Sequence, residues 1–192
     1  MHHKLRRAKF ITIALIALFV VSSGCSTMTT EELETKRKAL DSITEETVAR
    51  LIEQDPKIQQ ELDDSPGYFV ADMKLTKVPI VGAGGGEGVL IDKKSGQHTY
   101  LTVGRFDLGG GWGARAYKVL LIAKSHEVVD RIKNGTWEFQ AGAEAAAGSA
   151  SAEGSTSDIG SPFTVHILSE GGAAATVTAR VVRIRVTKGF NE

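Results

Sequence analysis

Two clusters of glycine constrain this chain more than any other feature of its sequence. One lies within residues 82–88 and the other within 109–113, and each runs into an apolar segment rich in Val, Ile, Leu or Tyr. These segments are too short for helices and predict strands. Glycine inside a strand marks a bulge, a sharp bend, or a place where another backbone or a ligand comes close. Two such clusters so near each other predict a strongly bent sheet.

From Tyr68 onward the apolar residues alternate with period two, which favours strands over helices. Residues 137–148 are contested, because Ala-Glu-Ala-Ala-Ala-Gly favours a helix by local propensity while the alternation of small and polar residues favours a strand. We predict a strand there, followed by a solvated loop over 149–161. Hairpin turns are predicted at 93–96 and 170–172. The predicted strands are 68–74, 88–92, 99–106, 114–123, 136–145, 163–168 and 174–188, the last broken by a bend.

Capping patterns predict three helices around this sheet. Ser42, followed three residues later by Glu, forms a capping box before an apolar helical face over 44–53. Pro56 begins a second, short helix, and Ser125 caps a third that Asn-Gly at 134–135 ends. The expected fold class is therefore α+β: a strongly bent antiparallel β-sheet, with N-terminal helices and one inserted helix packed against it.

The first residues of the chain have the pattern of a secretory signal peptide. Basic residues within 4–9 precede an apolar run over 10–21, which is too short to span a bilayer, and Ser-Ser-Gly then leads to Cys25, the chain's only cysteine. This pattern resembles the bacterial lipobox, in which cleavage just before the cysteine allows its diacylglycerylation and N-acylation, commonly with palmitate. The alternatives are an ordinary secreted protein with a free thiol, or an uncleaved anchor.

The lipobox resemblance also predicts domain organisation and location. We expect a lipoprotein signal peptide over 1–24, a lipidated tether over 25–41, either extended throughout or helical after Thr30, and a folded domain over 42–192. Several acyl chains at Cys25 would hold the protein on a membrane far more firmly than one. By the sorting rules of lipoproteins, Ser26 rather than Asp after the cysteine predicts the outer membrane, facing the periplasm, in a Gram-negative cell.

Charge argues against nucleic acid as a partner. The precursor has 23 Lys and Arg residues against 23 Asp and Glu residues. Four of the basic residues lie in the predicted signal peptide, so the mature chain keeps 19 and carries a net charge of −4. Attraction to anionic headgroups must therefore come from local basic patches.

The motifs of common catalytic and cofactor sites are missing from the sequence. The glycine clusters lack the spacing of dinucleotide and phosphate-binding loops, no Gly-x-Ser-x-Gly elbow exists, and the histidines at 98, 126 and 166 lack ligand spacing. We therefore expect no metal, no cofactor and no enzymatic activity. Glu87, between Gly86 and Gly88, is the one unusual acid; we expect it to accept hydrogen bonds from backbone amides at a bend, with a catalytic role as the alternative.

Basic residues near the glycines give a candidate anion-binding surface. Arg183 and Arg185 alternate with apolar residues, so both guanidinium groups should project from one face of a strand. Guanidinium groups and exposed glycine N–H groups both suit phosphate oxygens. The alternative is a solvated face whose arginines pair with acids. Further candidate lipid-binding residues flank or lie in the second glycine cluster: Arg105, Trp112, Arg115 and Lys118. Trp112 would sit at a headgroup boundary or fill the core.

The order of blocks from residue 68 to 190 resembles the SYLF domain family, a lipid-binding module of eukaryotic membrane-trafficking proteins and of many bacterial secreted proteins and lipoproteins. Gly86-Glu87-Gly88-Val89-Leu90 matches the family's Gly-Glu-Gly-Val-Leu, and Gly113-Ala114 leads into an apolar strand as in the family. The other matching blocks are the entry helix over 44–53, the apolar run 119–122, the helix 127–133 and the small-residue strand 137–148.

This resemblance implies phospholipid binding, with phosphoinositides preferred in eukaryotic members, some of which also bind actin. Anionic phospholipid is the corresponding partner in a bacterial envelope. We therefore expect a lipid-anchored envelope protein whose SYLF-like domain binds anionic headgroups through a basic, glycine-lined surface. The alternative is a structural or scaffold lipoprotein that docks an envelope protein and binds no headgroups.

Overall fold

Three helices and six strands form the part of the chain that the computed structural model describes, which is residues 28–108, 111–135, 137–146, 162–187 and 189–191. Cys25, the signal peptide and the predicted loop over 149–161 lie outside these residues. The helices are α1 Thr30–Gln54, α2 Lys57–Asp64 and α3 His126–Lys133. The strands are β1 Gly67–Lys77, β2 Val81–Asp92, β3 Gln97–Leu108, β4 Gly111–Ala123, β5 Glu138–Ala146 and β6 Phe163–Val186.

The chain divides into two units, residues 1–33 and 34–192. In the first, a reciprocal capping box begins α1: the backbone N–H of Glu32 donates to Oγ1 of Thr29 at 3.3 Å, and Glu32 Oε2 accepts from the N–H of Thr29 at 2.7 Å. The predicted start at Ser42 is wrong, because the good helix formers over 31–41 continue the helix through it. Residues 34–41, predicted as tether, thus belong to the second unit.

The strands of the second unit form one antiparallel sheet in the order β3-β2-β1-β4-β6-β5, and β6 also pairs with β3. The pairing of β6 keeps one register from Leu108↔Ala179 at the end of β3 to Gly111↔Thr176 at the start of β4. The long β6 therefore follows both strands around the bend between them. This connection makes the sheet turn back upon itself, as the glycine clusters predicted.

Three local predictions about strands are wrong, and one contested prediction is confirmed. The segment 170–172 is not a hairpin, and β6 is one strand of 24 residues without a break. Its pairing with β4 shifts in register between Arg115 and Tyr117, where one extra residue of β6 between Ser169 and Gly172 is accommodated and the ladder continues. β2 begins at Val81 and not at Gly88, so its glycines lie within the strand. β5 is a strand, as the alternation over 137–148 predicted.

Two hydrophobic clusters lie on opposite faces of the sheet. The larger is inside the bend and includes Phe69, Leu90, Tyr117 and Ile132 of α3. The smaller joins α1 and α2 to the outer face of β1 and β4 through residues such as Leu51, Leu62 and Leu120. The expected α+β fold, a bent antiparallel sheet with N-terminal helices and one inserted helix, is confirmed.

The glycines of β2 allow the bend by close approach of backbones. A methyl group at Gly86 would overlap the carbonyl oxygen of Asp72 on β1 and lie 2.8 Å from Sδ of Met73. At Gly88 it would lie 2.7 Å from the ring of Phe69. Gly113 of β4 has φ +135°, a conformation that residues with side chains rarely adopt. Gly86, Gly88 and Gly113, which belong to the blocks that resemble the SYLF family, are therefore required by the backbone geometry of the sheet.

Candidate lipid-binding surface

The outer face of β2, β3 and β6 carries glycines between cationic residues. Register pairs place Lys74, Gly85, Gly104 and Arg183 in one row across β1, β2, β3 and β6. Three strand spacings separate the two cationic residues by roughly 14 Å between backbones. Lys74 and Arg183 are both exposed, and so is Gly104. The row therefore has positive charge at both ends and bare backbone in the middle.

An open groove of about 530 Å³ lies at the Gly104–Arg183 end of this row. We call it the outer groove; its lining residues are Gly84, Thr102, Gly104, Arg105, Phe106, Arg183 and Arg185. Thr102 is the register partner of Arg185, which places both on the same face of the sheet. A methyl group on Gly104 would have only the carbonyl of Arg183 nearby, at 3.9 Å. The floor of the groove is therefore open because of a missing side chain, and it admits an anion of phosphate size.

Glu87 lies beside the outer groove and is held by α1. Its Oε1 accepts a hydrogen bond from Nζ of Lys36 at 2.5 Å, and both side chains are about one third exposed, at 37% and 36%. The expected donors were backbone amides; the structure gives it a lysine of a helix instead. The sequence could not indicate this partner, since 51 positions separate the two residues. The ion pair fixes α1 beside the groove and offsets the acid's charge.

Arg105 is not on the lipid-facing surface that the sequence predicted. Its side chain is 2% exposed, and its Nε and Nη2 donate to both carboxylate oxygens of Asp107 at 2.8 Å. Nη1 donates to the hydroxyl of Tyr117. Burial lowers the pKa of Arg105, but Asp107 and Tyr117 raise it by more, so it stays protonated. Arg105 contributes only main chain to the outer groove.

Of two further predicted residues, Arg115 is turned away from the outer groove, and Lys118 lies on the outer face but is buried there. Arg115 is half-buried, with its guanidinium carbon 5.1 Å from the centre of the Tyr117 ring. Lys118 is 7% exposed and is the register partner of Asp72. The structure therefore brings together Arg183 and Arg185, and it separates them from Arg105, Arg115 and Lys118.

The structure adds residues that the sequence analysis missed. Lys74 and Thr102 reach the outer face only because of strand register, for which the sequence gave no signal. Gly104 did give one, because a single glycine inside a strand pattern marks a close approach or an open site.

Exposed apolar side chains cluster at one end of the sheet. The turn between β1 and β2 lies there beside the end of β3 and the start of β4, since Val81 pairs with Leu108 and Lys77 pairs with Gly113. We call this cluster the apolar tip; its residues and their exposed fractions are Val78 58%, Ile80 70%, Val81 37%, Leu108 52% and Trp112 75%. Trp112 is therefore at the surface and not in the core.

The inside of the bend holds a cavity of about 100 Å³ lined almost entirely by apolar side chains, Met73, Val103 and Trp137 among them. A cavity of ~150 Å³ holds a molecule the size of benzene. The interior is thus too small for the acyl chain of a phospholipid. Lipid contact, if made by this domain, has to use the outer surface.

Comparison with known proteins finds similarity over part of the chain. No family model matches the chain. It is similar to Beta cell expansion factor A of Aeromonas veronii, with 26% identity over 117 residues, which is 61% of this chain and 44% of that protein. The chain thus matches less than half the length of this curated relative.

The described residues contain neither a cluster of metal ligands nor a membrane-spanning helix. Within them, no group of three His, Cys, Asp or Glu side chains is placed to hold a metal ion. None of the described helices is long and apolar enough to cross a membrane.

Proposed function

We propose that this chain is a lipid-anchored protein of the bacterial envelope whose SYLF-like domain binds anionic phospholipid headgroups in the outer groove. Cys25 carries the acyl anchor, and the protein faces the periplasm from the outer membrane. The domain acts by binding and carries out no reaction. Its recognised ligand is the phosphate of the headgroup.

One observation supports headgroup binding above the others: two exposed arginines stand over a floor of glycine. Arg183 and Arg185 project from the same face of β6. Gly104 of β3, the register partner of Arg183, leaves the main chain accessible. Guanidinium groups donate two parallel hydrogen bonds to phosphate oxygens, and Thr102 adds a hydroxyl. Lys74 at the far end of the row supplies a further positive charge.

Neutralising both groove arginines should weaken vesicle binding. Each Arg near an anionic membrane contributes about 1 kcal/mol, so Arg183→Gln with Arg185→Gln should lower the partition coefficient about 30-fold. The measurement is co-sedimentation of residues 26–192, which lack the anchor and retain every described residue, with vesicles of phosphatidylglycerol and phosphatidylcholine. Binding should also weaken with salt, because the Debye length falls from about 10 Å at 0.1 M to about 3 Å at 1 M.

The matched control neutralises two exposed lysines elsewhere, Lys57→Gln with Lys94→Gln, which changes the net charge equally. It should bind within about twofold of the unaltered protein, since these lysines contribute only through long-range charge that salt screens. An equal loss of vesicle binding in both double variants would show a nonspecific charge effect and contradict headgroup binding in the outer groove. Failure to bind any vesicle, together with stoichiometric capture of one envelope protein, would favour the scaffold alternative.

The anchor is tested separately. Radioactive palmitate should label the full chain in a bacterial host, and Cys25→Ser should abolish the label, because Cys25 is the chain's only cysteine. Labelling that survives this substitution would exclude the predicted lipidation site.

A further inference from the structure

We propose that the apolar tip inserts into the boundary between headgroups and acyl chains of the bilayer whose headgroups the outer groove binds. This inference rests on the proposed function for the identity of the membrane. It adds a second contact of different chemistry, which fixes the orientation of the domain on the lipid surface.

The exposure of the tip residues is the first argument. Ile80 is 70% exposed and Trp112 is 75% exposed, and Val78 and Leu108 are each more than half exposed. Soluble proteins rarely leave such a contiguous apolar cluster in water unless it contacts a partner or a membrane. Tryptophan prefers the membrane interface, since its ring is apolar and its N–H stays hydrated there.

Two backbone hydrogen bonds close the turn of the tip, which lowers the cost of insertion. The N–H of Val78 donates to the carbonyl of Val81 at 3.0 Å, and the N–H of Val81 donates back at 3.2 Å. Unpaired backbone groups would oppose entry into a bilayer. Asp107 is the one acid among residues 78–81, 106–108 and 112, and it is fully buried against Arg105. No exposed carboxylate among these described residues has to be desolvated.

The position of the tip relative to the outer groove favours lipid over a protein partner. Phe106 is 46% exposed, lines the groove and lies two residues from Leu108. Gly104, on the floor of the groove, is four residues from Leu108, or about 13 Å along an extended strand. Interfacial segments bury about 5–10 Å below the headgroups. A tip inserted to that depth leaves Arg183, opposite Gly104, at the level of the phosphates.

The test measures the depth of Trp112 in the membrane. The full chain is reconstituted into vesicles of phosphatidylglycerol and phosphatidylcholine, with or without bromine near the top of the acyl chains. Produced in a bacterial host, the chain carries the proposed acyl anchor at Cys25, which keeps it bound, so only insertion of the tip is measured. Since insertion reaches about 5–10 Å, we expect bromine to remove roughly half of the Trp112 emission. The signal of Trp112 is obtained by subtracting Trp112→Phe, because the other tryptophan, Trp137, is buried in the core.

Ile80→Asp should abolish this quenching, because a carboxylate would have to enter the boundary. Val186→Asp is the matched control: it adds the same charge at a residue that is 36% exposed and is the register partner of Leu101, far from the tip. Quenching should persist in that control. The thermal midpoint should be unchanged by Ile80→Asp, since the side chain lies in an exposed turn.

The outcomes separate this inference from the proposed function. Absence of quenching, combined with salt-dependent vesicle binding that needs Arg183 and Arg185, would overturn insertion of the tip but would still support headgroup binding in the outer groove. Quenching that Ile80→Asp does not reduce also overturns it. A dimer in solution that Ile80→Asp dissociates, without quenching in vesicles, would assign the tip to a second copy of the chain and overturn the lipid assignment.

Discussion

Replacing Asp107 by Ala should lower the free energy of unfolding by about 3–5 kcal/mol, because it leaves the Arg105 guanidinium buried without its counter-charge. Asp107 is 0% exposed and accepts two hydrogen bonds from Arg105 at 2.8 Å. Taking a charge out of water is costly, and the ion pair with its hydrogen bonds offsets that cost here. The measurement is equilibrium unfolding in urea with the residues 26–192 protein.

The double replacement Arg105→Met with Asp107→Leu tests the same explanation. It removes both charges and fills the space with apolar side chains, so it should recover most of the stability that Asp107→Ala loses. A cost below about 1 kcal/mol for Asp107→Ala alone would contradict burial of the pair, because surface ion pairs contribute that little. Vesicle binding per folded molecule should change little in the double variant, since neither side chain reaches the outer groove.

Gly86→Ala should be the most disruptive single methyl group in the sheet. A Cβ there would overlap the carbonyl oxygen of Asp72, which is backbone and cannot rotate away, so β1 and β2 must separate. Overpacking costs typically about 1–3 kcal/mol, and a clash with backbone should reach or exceed the upper end of that range. A loss of about 3 kcal/mol or more in urea unfolding is expected, or failure to fold.

Gly104→Ala is the control for this prediction, since it adds the same methyl group to the neighbouring strand. The nearest atom to a Cβ at Gly104 is the carbonyl oxygen of Arg183, at 3.9 Å, which is ordinary contact. Its stability should therefore change by less than about 1 kcal/mol. Equal destabilisation by both substitutions would show that strand propensity, and not close approach of β1 and β2, explains the glycines.

The sequence predicted the fold class because periodicity and turn chemistry are local properties. The alternation over 137–148 correctly outweighed helix propensity, and the turn at 93–96 was predicted from its residues, with φ +67° at Gly96. Helix boundaries were harder to predict from the sequence where two local signals compete. Ser42 and Thr29 each stand three residues before a Glu, which is the sequence pattern of a capping box, and the structure forms the box only at Thr29.

The candidate site was predictable only in part. Alternation within 182–186 correctly placed Arg183 and Arg185 on one face of a strand. Proximity to the glycine cluster wrongly placed Arg105 and Arg115 on the same face, whereas Lys118 lies on that face but is only 7% exposed. In a bent sheet the two faces meet different surroundings, and nearness in sequence does not decide which face a side chain occupies.

The amino-acid sequence by itself determined that this chain forms a bent antiparallel sheet with helices, since glycine content and apolar period set what each segment can adopt. It also determined the signal-peptide and lipobox-like pattern that ends at Cys25. Only the tertiary structure decided which cations face outward, that Glu87 pairs with Lys36, and that Trp112 joins Ile80 at an exposed tip. The physical reason is that these features depend on strand register and on contacts between distant segments, which only the folded chain specifies.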